Sequence, residues 1–167
     1  MLNGGPNVSG NALQLTDTST TSEIRSVYYS TKLSDSNFVT DFSFQVTNPV
    51  EDGFTFVIQN SSATALSTGG GGQLGYQNIG SSVALKFQLL DTNDVNNIGL
   101  FTGGASPTTI GDPLGAAGLN LLSGDIFHAH LSYNGTNLVA TLTDQSAEPA
   151  ECHRYLRGEY SDRRRIQ

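Results

Sequence analysis

Basic charge, cysteine and long apolar runs are all scarce in this chain. It carries 8 Lys and Arg against 15 Asp and Glu, a net charge of −7 at pH 7. A phosphate backbone needs a basic face, so nucleic acid is excluded as an expected partner. The one cysteine, Cys152, rules out an internal disulfide and a cysteine-built zinc site. No apolar run approaches the roughly 20 residues of a membrane helix, so membrane insertion is not expected. No segment has a sustained helical period, and no signal peptide precedes Leu2, as expected of a mature domain. Enzyme signatures are also missing. There is no Glu-x-Asp-x-x-Glu pairing of carboxylates on one strand and no Gly-x-Ser-x-Gly elbow, so no catalytic residue is expected.

What remains is a β-protein. The 167 residues suit one domain with a proper core. Only 14% of them are charged, while glycine (19 residues), Ser, Thr and Asn are abundant, which is the look of many extracellular β-domains. Residues 38–46 alternate cleanly, with Phe38, Thr40, Phe42, Phe44 and Val46 on one face and Val39, Asp41, Ser43 and Gln45 on the other. Residues 52–58, 83–89 and 126–133 repeat the pattern, and Ile98 to Phe101 adds an apolar strand. Leu119 to Leu121 reads as a short strand. Asn134-Gly135 joins 126–133 to 137–143 as a hairpin. In 126–133 the apolar residues oppose His128 and His130, which read as solvated side chains and not ligands. Many short strands at turn-marked spacing predict an all-β sandwich or barrel.

The stretch from Asp52 to Asp94 holds the candidate site. A strand begins at Asp52-Gly53, and the run Gly69-Gly70-Gly71-Gly72 follows it, ending Gln73-Leu74-Gly75-Tyr76. Four glycines expected to form neither strand nor helix leave a backbone that another molecule can approach closely. No Lys-Ser/Thr follows, so this is not a phosphate loop. A carboxylate beside such a loop, with the polar turn Asp91-Thr92-Asn93-Asp94 nearby, suits sugar hydroxyls, which donate to carboxylates and accept from N–H groups. Tyr76 could stack on a sugar ring or pack into the body; the spacing leaves both open. Asp52-Gly53 as a plain turn and the glycines as a plain linker are the bland alternatives.

The order Phe-x-x-x-Phe-x-Phe, Asn-Pro, Asp-Gly-Phe-x-Phe-x-Ile, a glycine loop ending Leu-Gly-Tyr, Val-Ala-Leu-Lys-Phe, Ile-Gly-Leu and a Tyr-Asn-Gly hairpin resembles the legume-type (L-type) lectin domain, nearest its bacterial secreted branch. The likeness runs from Leu2 to Asp144. It implies a concanavalin-like jelly-roll sandwich of two antiparallel sheets that binds carbohydrate at rim loops, is not an enzyme, and is secreted or displayed at the cell surface. It implies carbohydrate contacts at Asp52, Gly71, Gly72, Tyr76 and Asn93. The family's metal loop follows Val-Ala-Val-Glu-Phe-Asp, with a later Asn, Asp and His. Here Lys86 replaces the Glu, Gln88 replaces the first Asp, and Asn97 stands near the His position. No cofactor is therefore expected, apart from a weak calcium site at Asp91, Asn93 and Asp94. The alternative reading is a structural or adhesive sandwich that has lost sugar binding.

After Asp144 the likeness stops. Residues 1–151 carry a net −10, whereas 152–167 carry five Arg and a net +3. Shifted by one nucleotide, degenerate codons for 152–165 permit Val-Thr-Ala-Thr-Tyr-Ala-Val-Asn-Ile-Pro-Thr-Val-Val-Gly, the strand and turn with which the family continues. The expectation is a sandwich over 1–144, incomplete at its C-terminus, and a frameshifted tail over 145–167. That tail is expected to be irregular or weakly helical, poorly packed and functionally silent, and the body to be unstable alone or to need a partner for the missing strands. An authentic basic tail is the alternative.

Overall fold

Alternating side chains build two packed sheets. The structure is a computed structural model that describes residues 1–17, 21–34, 36–50, 52–90, 95–108 and 111–146, and the backbone of 155–159. Its strands are β1 (Leu2–Asn3), β2 (Asn7–Ser9), β3 (Ala12–Gln14), β4 (Ser26–Val27), β5 (Phe38–Gln45), β6 (Asp52–Gln59), β7 (Ser82–Leu90), β8 (Asn97–Thr102), β9 (Asp112–Pro113), β10 (Ile126–Tyr133), β11 (Asn137–Asp144) and β12 (Tyr155–Glu159). One sheet has the order β12-β11-β10-β5 and the other β6-β7-β8-β9, with every neighbour antiparallel. The pairs β1–β4 and β2–β3 form small separate ribbons. This is the all-β jelly-roll sandwich that the sequence predicts.

The core lies between the sheets. On β5 the even-numbered residues from Phe38 to Phe44 turn inward and the odd ones outward, as the alternation requires. Phe127, Ala129 and Leu131 of β10 and Leu138, Ala140 and Leu142 of β11 are buried on the same inner face. Aromatic rings join the layers. Phe42 stacks on Phe56 at 5.3 Å, and Phe44 meets Phe54 edge-on at 4.9 Å and Phe87 at 5.1 Å. Phe54 stacks on Phe87 at 4.7 Å within its own sheet. The fully buried side chains Phe87, Phe127 and Leu131 each contribute roughly 1.5–3 kcal/mol, the half-buried Phe42, Phe44, Phe54 and Phe56 less, and each ring pair adds about 0.5–1.5 kcal/mol.

Three expectations need correction. Leu119 to Leu121 is not a strand: its backbone is satisfied by one side chain. Asn96 Nδ2 donates to Leu119 O at 2.8 Å, and Leu121 N–H donates to Asn96 Oδ1 at 2.9 Å, leaving Leu119 and Leu121 free to fill the core. Second, the glycine run is not wholly irregular, because Gly71–Gln73 closes a 3-10 turn. Third, the tail is not irregular throughout. Tyr155–Glu159 pairs antiparallel with Asn137–Thr141, as an edge strand and not a central one. Of the stretch 152–165 that the shifted reading frame concerns, only the backbone of Tyr155–Glu159 is among the described residues.

Phe87 touches Phe42, Phe44 and Phe54 and is almost wholly buried. Phe87→Ala should therefore cost about 3–5 kcal/mol. Val39→Thr, on the outer face at 63% exposure, should change stability by less than about 0.5 kcal/mol. Urea unfolding midpoints of the two variants check both values.

Candidate functional site at the sheet rim

The site starts from a break in the β6–β7 ladder. Asp52 pairs with Leu90 but Gly53 pairs with Gln88, so Leu89 is bulged out. Asp52 takes a left-handed backbone, φ +39°, which Asp tolerates better than most residues. Gly53 is fixed by close approach: a Cβ there would lie 2.1 Å from Phe87 O. The Asp52-Gly53 pair is thus a built feature of the rim and not an ordinary turn.

Gln88 holds the break in place. It is 1% exposed, and its Nε2 donates to Asp52 O at 3.2 Å and to Leu90 O at 3.1 Å. Both amide hydrogens are used, one on each side of the bulge.

The glycine loop returns to this point. A Cβ built on Gly71 would lie 3.6 Å from Asp52 Oδ2, and one on Gly72 would lie 4.0 Å from Asp52 Oδ1 and 3.5 Å from Thr108 Cγ2. Gly71 has φ +63°, a conformation that glycine adopts without strain. Leu74 N–H donates to Gly71 O at 2.9 Å and Thr55 Oγ1 donates to Leu74 O at 3.1 Å, tying the turn to β6. Ser67 Oγ donates to Gln73 Oε1 at 2.6 Å and accepts from Gly69 N–H at 3.3 Å. A carboxylate therefore faces two residues without side chains, on a loop fastened from behind.

Of the residues expected to form the site, Asp52, Gly71 and Gly72 come together. Tyr76 does not join them. It is 0% exposed, packed with Ile79 and Ala84, and its hydroxyl accepts from Gly104 N–H at 3.0 Å and sits 3.2 Å from Ser82 Oγ. Its ring has no open face for a sugar, so it is a packing residue. Asn93, Asp91 and Asp94 lie outside the described residues. Thr108, from a distant loop, borders the site, and nothing in the spacing of the sequence pointed to it. Away from the rim, His130 Nδ1 and His128 Nε2 stand 2.8 and 3.2 Å from Asp41 Oδ1 on the outer face of β10 and β5. They are half-buried, and cross-strand pairing gives them a shared partner that linear reading did not show.

The family's divalent cation does not fit the residues at its β7 positions. Lys86 and Gln88 are buried there with N–H groups that donate, whereas a hard cation requires oxygens that accept. Among the described residues, no group of three or more His, Cys, Asp or Glu is arranged to hold a metal.

No family model matches the chain, and no curated protein matches it in sequence at a significant level. Among solved structures, peanut lectin with a nine-residue peptide (PVIWSSATG) is similar, with a TM-score of 0.69 and 19% identity over 96% of this chain and 75% of that one. The chain has the concanavalin-like fold of a legume lectin.

Gly53→Ala should be destabilising by about 1–3 kcal/mol or more, because its methyl group cannot avoid the Phe87 carbonyl without opening the bulge. Thermal melts of the variant beside the parent protein check this.

Proposed function

We propose that this chain is a carbohydrate-binding, lectin-like module, and that sugar binds at the rim where Asp52 faces Gly71 and Gly72. One observation carries the reading: a carboxylate is held, by a left-handed backbone and a bulge, against a bare and well-braced stretch of main chain. Paired sugar hydroxyls suit such a place. They donate to the carboxylate, and the absence of side chains at 71 and 72 lets the pyranose edge come close to the backbone. Asn93 belongs to this proposed site as a further amide donor. The reading is binding without turnover: among the described residues one carboxylate, Asp52, faces the loop, whereas glycoside hydrolysis uses an acid–base pair.

The lectin fold of the structural neighbour supports this reading at the level of architecture. Membership of a bacterial secreted branch, and a secreted or cell-surface location, are part of the same proposal; the branch rests on the ordered motifs from Leu2 to Asp144, and the location also on the Ser/Thr/Asn/Gly-rich, charge-poor composition. No helix among the described residues is long and apolar enough to cross a membrane. A second reading, an adhesive or structural sandwich without sugar binding, is favoured by the donors Lys86 and Gln88 at positions where the family has metal ligands.

A glycan array separates the two readings: specific glycan signals support the first, and a blank array the second. For any glycan that binds, Asp52→Asn keeps the size and left-handed tolerance of the residue but removes its charge. Affinity in calorimetry should fall by about 1.5–3 kcal/mol, roughly ten- to a hundredfold. Unchanged affinity would remove Asp52 from the site.

A further inference from the structure

We infer that Lys86 and Gln88 are positioning residues that fix the two sides of the rim by donated hydrogen bonds, so that its geometry needs no metal ion. The inference places these contacts behind the site proposed above and rests on that reading for its effect on sugar affinity only.

The two residues are i and i+2 on β7, so they share one face of the strand. Both are essentially unexposed, at 0% and 1%. Gln88 reaches one side of the rim through the carbonyls of Asp52 and Leu90. Lys86 reaches the other side. Its Nζ donates to Pro107 O at 3.1 Å, and Phe101 places its ring 5.6 Å from the same nitrogen, within range of a cation–π contact. Pro107 precedes Thr108, whose methyl group borders Gly72. Gly99 lies opposite Lys86 across the ladder, and a Cβ there would come within 3.5 Å of Lys86 Cε, so its missing side chain leaves room for the lysine stem.

The chemistry is complementary at every named contact. A cation bound in this layer would organise the rim by attracting oxygens. Here an ammonium and a carboxamide attract backbone oxygens from inside the protein. A buried ammonium is costly unless its hydrogens are taken up, so the carbonyl it binds is held firmly. The loop around Pro107 therefore gains its order from Lys86, and the bulge at Asp52 gains its order from Gln88. The two effects are separable because each donor serves a different segment.

Hydrogen exchange on the full chain without glycan tests this, with glycan affinity as a second readout. Lys86→Met keeps the stem and removes the donor. Amides in 103–108 should exchange about tenfold faster, while those of β10 and β11 stay unchanged. Lys86→Arg should restore part of the protection. Gln88→Met should do the reverse, loosening Asp52 and Gly53 and sparing 103–108. EDTA should leave the parent protein's exchange and Tm unchanged. If Lys86→Met fails to fold, Phe101→Leu, which removes only the ring beside Nζ, should speed exchange in 103–108 severalfold. Equal exchange in both variants and the parent would overturn the inference, as would a fall of many degrees in Tm with EDTA. Loss of segment protection with no glycan binding by any form would uphold the inference and sink the proposed function alone.

Discussion

The face-to-face contact of Phe54 and Phe87, with Phe44 set edge-on against both from the opposite sheet, fixes the spacing of the two layers. The rim depends on that spacing. Phe54 follows Gly53, and Phe87 precedes Gln88, so the ring stack clamps β6 to β7 one residue from the bulge. With the ladder held there, the extra residue has to be accommodated at Asp52, Leu89 and Leu90. Asp52 is driven into a left-handed conformation at the end of a strand whose next residues cannot move. The hydrophobic core and the site are thus one construction, and the strain of the positive φ is carried by burial a few ångströms away.

Polarity in the layer beyond β7 follows the same logic. Burial on both faces of a central strand leaves Lys86 and Gln88 no water, so each must find acceptors in the protein. Among the described residues, main-chain carbonyls at the strand end and in the 103–108 loop accept from them. An acidic residue at either position would face oxygen with oxygen and would need a cation between them. Donors at both positions remove that need, so the identity of two side chains decides whether the rim is an ion-dependent or an ion-independent structure.

How much of this could be read from the sequence varies with the range of the interaction. Alternation is local, so β5, β7, β10 and β11, their inward faces and the Asn134-Gly135 hairpin were legible. The meeting of Asp52 with Gly71 and Gly72 was legible through resemblance to the lectin domain, since no spacing rule brings position 52 beside 71. Tyr76 and Leu119–Leu121 were misread because a loop folded back on a sheet buries residues without the period of strand or helix. The donor role of Gln88 was not legible, because it depends on a one-residue shift in register. Tyr155–Glu159 shows the opposite limit: the free edge of β11 draws in an extended segment that has no alternation of its own.

The central claim is that carbohydrate meets the chain at the rim formed by Asp52, Gly71 and Gly72. Amide chemical-shift mapping by NMR, during titration with a glycan that binds, tests it most directly. The account predicts that the largest shifts fall on 52–53, 70–73 and 106–108, with the outer face of β10 around His128 and His130 unmoved. Largest shifts on that outer face, or on the β2–β3 ribbon, would contradict it.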